Sequence, residues 1–261
     1  MRYMTLGLNR RVSLALLPVD DFTGRVITGS AVRMYTLEGN KPSIRKEEGY
    51  HVFCDLEGTQ VQICAEGPLY QKQTLTVPLG EETVVWQVRM LPGRSYPIPA
   101  EATCLKGELS PGSRLRLFFP DQKKGFKLLY DYDPEKEGRR LRLYCPEKTR
   151  LDGRLLCIAG KKGEPEFFRI ARWQDEEGEL EAPLGQTYKK IGTTVFPVYE
   201  AEAGEDGSFY LLIRSLPEDG HASVFLKPGG EGAKEIGTEL VLEAGRENRI
   251  TQELLTGKKG G

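Results

Sequence analysis

Glu47-Glu48-Gly49-Tyr50-His51-Val52-Phe53-Cys54-Asp55-Leu56 combines an acidic-glycine turn with an alternating apolar run that ends in a second turn, Glu57-Gly58-Thr59. Glycine supplies a backbone conformation that other residues avoid, and the alternation that follows has the period of a strand with one buried face. A related series returns at Glu205-Asp206-Gly207-Ser208-Phe209-Tyr210-Leu211-Leu212, followed by Leu216, another turn and Ala222-Ser223-Val224-Phe225-Leu226. The repetition predicts two β modules built on one plan.

The remaining strands follow from similar runs bounded by Gly, Pro and Asp. Before the linker they are expected at 12–19, 31–35, 50–56, 60–65, 71–77 and 83–90, spaced as antiparallel neighbours of a small sandwich. In 60–65 the alternation places Val61 and Ile63 in the core, and Trp86 is expected there too. Leu91 to Pro99 holds three prolines in nine residues and cannot join a central strand, so 92–99 is expected to be a stiff, extended linker. Beyond it, 103–109 and 114–119 are expected to form a hairpin across Ser110-Pro111-Gly112. Further strands are expected at 126–132, 140–144, 154–159, 165–173, 193–199, 208–213, 222–226, 239–242 and 249–254. These are too many for one minimal sandwich, so about 120–203 is expected to be an insertion or a second sheet.

No twelve-residue window has a helical period. The fold class is therefore all-β: two β-sandwich modules, immunoglobulin-like or prealbumin-like, the second enlarged by an insertion. The expected domains are 1–91, the linker 92–99, a larger β domain over 100–255, and a flexible Gly/Lys tail over 256–261.

The 30 glycines and 16 prolines among 261 residues agree with a turn-rich β protein. A formal net charge of −1 provides no global field toward nucleic acid or an anionic membrane, and short basic runs such as Lys123-Lys124 and Arg139-Arg140 are expected on the solvated surface. The five cysteines are odd in number and lack C-x-x-C spacing, which argues against a disulfide framework or a zinc site and for buried thiols. The apolar run 12–19 is short and broken, without the form of a secretory signal, and no stretch approaches 18 apolar residues. A cytoplasmic protein is expected, with lysis or release inside a larger particle as routes out of the cell.

The ordered features of the first ninety residues resemble the carboxypeptidase-regulatory-like, or transthyretin-like, β-sandwich, related to the collagen-adhesin B-type repeat. They are the first apolar strand, Asp21-Phe22-Thr23-Gly24 with Val26-Ile27, Ala31-Val32, Glu48-Gly49-Tyr50-His51-Val52-Phe53, Leu56, and Tyr70 leading into Thr74 to Val77. Gly107, Leu109 and Asp206-Gly207-Ser208-Phe209 extend the resemblance into the second half. The join from Arg89-Met90-Leu91-Pro92 to Tyr96-Pro97-Ile98-Pro99 is similar to that in bacterial multi-module proteins of phage-tail-like contractile injection particles. The resemblance implies a scaffold used as spacer, adaptor or interaction module. The lysine-asparagine cross-link of the adhesin repeats is not expected, because the first strand has no lysine.

Catalytic constellations are not legible. The two histidines, His51 and His221, lack a ligand at metal spacing, no G-x-S-x-G or phosphate-binding loop occurs, and the paired carboxylates at Asp20-Asp21, Glu47-Glu48, Asp175-Glu176-Glu177 and Glu205-Asp206 fall at predicted turns. The expectation is a non-enzymatic structural or adaptor protein without cofactor or metal, with protein partners in a larger assembly, no nucleic-acid binding and no membrane insertion. The alternative is a module binding carbohydrate or a cell-surface ligand. Tyr130 and Tyr132, two apart on an expected strand, are the candidate contact surface.

Overall fold

Leu14 and Leu16 on one strand, and Met34, Phe53, Ile63, Val77 and Met90 on others, are almost wholly removed from water in one cluster. Each such side chain stabilises the fold by roughly 1.5–3 kcal/mol through its burial. The computed structural model describes residues 11–80, 83–121, 125–146, 149–160, 164–230 and 232–257. The expected Lys123-Lys124 run and the tail beyond Gly257 lie outside the described residues. The chain divides into two compact units, the first ending at Tyr96 and the second beginning at Pro97.

The first unit contains β1 (Val12–Asp20), β2 (Arg33–Thr36), β3 (Ile44–Arg45), β4 (His51–Cys54), β5 (Gln60–Gly67), β6 (Tyr70–Pro78) and β7 (Val84–Met90). One sheet has the order β3-β4-β1-β7 and the other β2-β5-β6, with the apolar cluster drawn from both. The neighbours are not all antiparallel as the spacing suggests. β1 pairs antiparallel with β4 but parallel with β7, because nearly the whole unit intervenes between them and supplies the long crossover that parallel pairing requires. Ile63 is fully buried, while Val61 and Trp86 pack against the core from half-buried positions.

The first half of the expected linker belongs to this unit. Pro92 bridges Tyr70, Gly93 donates its N–H to the Leu69 carbonyl at 2.8 Å, and the buried Tyr96 hydroxyl donates to Asp20 Oδ2 at 2.7 Å. Asp20 also accepts from the Tyr70 hydroxyl at 3.0 Å and from the Thr23 N–H at 2.8 Å. Expected on a solvated turn, Asp20 is buried, because three donors replace the water it gives up.

The second unit opens with β8 (Thr103–Glu108) and β9 (Arg114–Phe118), continues through β10 (Lys127–Leu128), α1 (Pro134–Glu137), β11 (Arg140–Tyr144), β12 (Leu155–Ala159), β13 (Glu166–Gln174), β14 (Glu177–Leu180) and β15 (Thr194–Pro197), and resumes with β16 (Tyr199–Glu202), β17 (Ser208–Ile213), β18 (His221–Lys227), β19 (Ile236–Val241), β20 (Glu247–Thr251) and α2 (Gln252–Thr256). β8 and β9 do not form the expected hairpin. β8 lies between β17 and β20, whereas β9 lies in the sheet β16-β9-β18-β19. The Ser110-Pro111-Gly112 turn carries the chain from one sheet to the other, so Leu105 of β8 and Leu115 and Leu117 of β9 reach the same core from two sheets.

The strand plan repeats. In each unit the first strand pairs parallel with the last and antiparallel with the strand after an acidic-glycine turn: β1 with β7 and β4, β8 with β20 and β17. The closing segment departs from expectation: the strand ends at Thr251, whose Oγ1 caps α2 by accepting from the Leu254 N–H at 3.4 Å, and α2 buries Leu255.

Between β9 and β16 the chain builds a six-stranded sheet in the order β10-β11-β14-β13-β12-β15, antiparallel throughout. Phe126 and Val195 exchange both backbone hydrogen bonds, at 2.7 and 3.0 Å, joining the two outer strands and closing the sheet into a small barrel. Its interior holds Leu128, Leu141, Leu143, Leu156, Ile158 and Ile170 among others. An aromatic seam joins it to the sandwich sheet beside it: Phe118 stacks on Phe196 (centroids 5.3 Å) and on Phe225 (6.0 Å), and Phe167 meets Phe225 edge-on at 5.1 Å.

Candidate functional site: an aromatic and cationic face on the inserted barrel

β11 alternates strictly. Leu141 and Leu143 enter the barrel core, so Arg140, Arg142 and Tyr144 project outward. The neighbouring β14 places Glu179 opposite Arg140 and Glu177 opposite Arg142. Glu177 Oε2 accepts from Arg142 Nε at 2.7 Å, and its other oxygen lies 4.0 Å from Arg140 Nε. This bond raises the Arg142 pKa above its ordinary value, so the guanidinium stays charged. The same guanidinium lies 5.7 Å from the centroid of the Tyr130 ring. Tyr144 stands two residues along β11, opposite Lys127 of β10. Both rings are open to solvent, Tyr130 63% and Tyr144 62% exposed, with Arg142 between them. The face carries Lys127, Arg140 and Arg142 beside Glu177 and Glu179, with Arg172 of β13 opposite Glu179 and Glu137 within electrostatic reach of Arg142.

Tyr132 is not part of it. The expected strand over 126–132 is regular only at Lys127–Leu128, and a bend at Leu129 and Tyr130 breaks the alternation before Tyr132 pairs with Tyr188. Tyr132 therefore turns inward, 2% exposed, where its hydroxyl donates to the Gly138 carbonyl and accepts from the Leu184 N–H at 3.0 Å. Burial pushes its phenol pKa up. Asp131, between the two tyrosines, binds the Lys190 N–H at 2.7 Å and the Lys189 ammonium at 2.9 Å, which hold its carboxyl below the usual range. Tyr144 and Arg142 are the members that sequence reasoning missed, although the alternation of 140–144 carried the signal.

The other singled-out residues have structural surroundings. His51 is buried on β4 and shares a hydrogen bond with Ser43 Oγ at 2.7 Å. His221 lies 3.9 Å from Glu239 at the surface. Trp173 packs half-buried against the barrel core. All five cysteines are buried free thiols. Among the described residues no three His, Cys, Asp or Glu side chains gather as a metal ion would need, and no helix is long and apolar enough to cross a membrane.

The chain matches no protein-family model, and no curated protein matches it. Among solved structures it is similar to a candidate carbohydrate-binding protein of Bacteroides uniformis ATCC 8492, with 9% identity over 87% of this chain and 98% of that one and a TM-score of 0.26. It is also similar to the TIE protein of Bacillus anthracis, with 11% identity over 92% of this chain and 50% of that one and a TM-score of 0.25. A candidate cell adhesion protein of B. uniformis is similar at 10% identity over 93% of each chain, with a TM-score of 0.20.

Proposed function

We propose that this chain is a non-enzymatic structural or adaptor protein, a component or accessory of a larger bacterial assembly such as a phage-tail-like contractile particle. The observation that carries the reading is the outward face of the inserted barrel, where two exposed tyrosines flank a guanidinium fixed by Glu177. Rigid aromatic rings beside arginine are the side chains that dominate protein interfaces. The excess of cations selects a protein partner whose contact surface carries carboxylates. The repeated strand plan supports a spacer role by placing this face on a framework of packed sheets, and the first unit carries the resemblance to carboxypeptidase-regulatory-like scaffolds.

The test is affinity isolation of the tagged protein from its native cells, with negative-stain microscopy and mass spectrometry of what accompanies it. Stoichiometric partners in a tube- or baseplate-like assembly, lost from a Tyr130→Ser/Tyr144→Ser variant that keeps its melting temperature, are the expected result. Elution as a lone monomer, or turnover on a hydrolase panel abolished by one carboxylate substitution, overturns the reading.

A further inference from the structure

The first unit carries a second, separate feature: a groove of about 450 Å³ where the start of β2 meets the β5–β6 hairpin. Its walls include Arg33, Glu66, Gly67, Pro68, Tyr70 and Lys72. The volume lies within the range of small-ligand sites.

Arg33 and Glu66 face each other across the β2–β5 pairing, and Glu66 Oε1 accepts from both Nε, at 3.1 Å, and Nη2 of the guanidinium. The second carboxylate oxygen accepts from the Tyr35 hydroxyl at 3.3 Å and faces the Lys72 ammonium at 3.8 Å. Arg33 in turn lies over the Tyr35 ring, 4.9 Å from its centroid. The ion pair is thus held on several sides before any ligand arrives. Tyr70 is fixed too: its hydroxyl is bound to Asp20 and its ring meets Tyr96 edge-on at 5.9 Å, so its place in the groove wall is set from beneath. Gly67 forms part of the floor at a bulge in the β5–β6 pairing, and a Cβ there would lie 2.3 Å from the Ala31 carbonyl oxygen. That approach fixes the backbone on which Glu66 is mounted.

Planar charged groups bonded to one another suit vicinal hydroxyls, because each presents its remaining donors or acceptors in a fixed plane, and an anchored aromatic ring offers a face for the C–H side of a sugar. The two cations exceed the one carboxylate, which gives the groove wall a net positive charge that favours an anionic ligand. Lys72, 65% exposed, makes a long contact to Glu66 among the described residues and is the group that can turn to a ligand carboxylate.

We propose that this groove binds an acidic saccharide, with Lys72 and Arg33 taking the sugar carboxylate, Glu66 accepting from hydroxyls and the Tyr70 ring lying against the sugar. The site goes beyond the adaptor reading and is independent of it, since it uses none of the residues of the barrel face.

The experiment is a titration of the full chain with trigalacturonate, maltotriose and inorganic phosphate, followed by amide chemical shifts and calorimetry. Trigalacturonate is expected to shift the amides of Arg33, Glu66, Gly67 and Lys72, with binding weakened about tenfold by Lys72→Gln, the loss of one charge-assisted hydrogen bond, and weakened further by added salt. Maltotriose and phosphate are expected to leave those amides in place. Lys72 is exposed, so its variant keeps the fold, which an unchanged melting temperature verifies. Equal binding of maltotriose overturns the acidic class, equal binding of phosphate overturns the saccharide, and unmoved groove amides at millimolar trigalacturonate overturn the site.

Discussion

Gly49 and Gly207 hold equivalent places in the two units: each has positive φ, +94° and +76°, and each leads into the strand that pairs antiparallel with its unit's first strand. Neither position accepts a side chain. A Cβ on Gly49 would lie 2.9 Å from Val26 Cγ1 and 3.0 Å from the Ile27 carbonyl oxygen, and one on Gly207 would lie 2.5 Å from the Leu109 carbonyl oxygen. Gly207→Ala therefore combines a disfavoured backbone region with a backbone collision, and is expected to cost about 3 kcal/mol. Gly112→Ala, at φ +72° with nothing within 4 Å of its Cβ, is expected to cost about 1 kcal/mol. Urea denaturation of the two variants measures the difference, and equal losses would remove the close approach from the account.

Phe53 is 1% exposed on β4 within the first unit's core, while Glu57 stands open to solvent in the following turn. Phe53→Ala is expected to destabilise the first unit by about 3–5 kcal/mol, because the space left behind refills only in part. Glu57→Ala is expected to stay within about 0.5 kcal/mol. Small and equal effects in denaturation would contradict the placement of β4.

The features that were legible in the chain are those fixed by neighbouring residues. The alternation of 140–144 predicts a strand that has Arg142 and Tyr144 on its open side, and the acidic-glycine turns at Gly49 and Gly207 predict the strands that follow them. Pairing was not legible, because the partner of a strand is set by distant residues: 103–109 and 114–119 look like a hairpin locally, yet Leu105 and Leu115 reach one core from two sheets. Tyr132 shows the same limit at the candidate site. A period of two placed it beside Tyr130, but the chain bends at Leu129 and Tyr130, Tyr132 pairs with Tyr188, and no local pattern records a partner fifty-six positions away. Asp20 likewise has turn chemistry in sequence, and only the fold brings it Tyr70 and Tyr96.

Phe118 reaches Phe196 and Phe225 at once, so one ring ties the inserted barrel to the sandwich sheet. Phe118→Ala is expected to cost about 3–5 kcal/mol and to loosen the barrel more than the sandwich core. Limited proteolysis is the suitable readout: cleavage within 120–198 should appear at protease levels that leave the wild-type chain intact. A variant that loses stability while cleavage stays uniform along the chain would show that the seam does not couple the two parts.

His51 makes stability depend on pH in a window of its own. Burial, with the nearby Arg45 charge adding to it, lowers its pKa from 6.5 to about 4, so the folded chain holds the ring neutral where the unfolded chain takes up a proton. Between about pH 6.5 and 4 the unfolded state therefore binds more protons, and stability falls as the pH falls; above about 6.5 this contribution is complete and flat. Carboxylates with lowered pKa, such as Glu66 and Glu247, contribute stability that is present above their ordinary value of 4.5 and lost beneath it, so they overlap only the acid end of this window and measurements at pH 5.0 and above report mainly on the histidine. Melting temperatures at pH 7.5, 6.5, 5.5 and 5.0 should decline only over the last steps. In His51→Gln, which has no group to titrate there, the decline should flatten even though the variant starts from a lower value. A slope unchanged by the substitution would assign the acid sensitivity to another group.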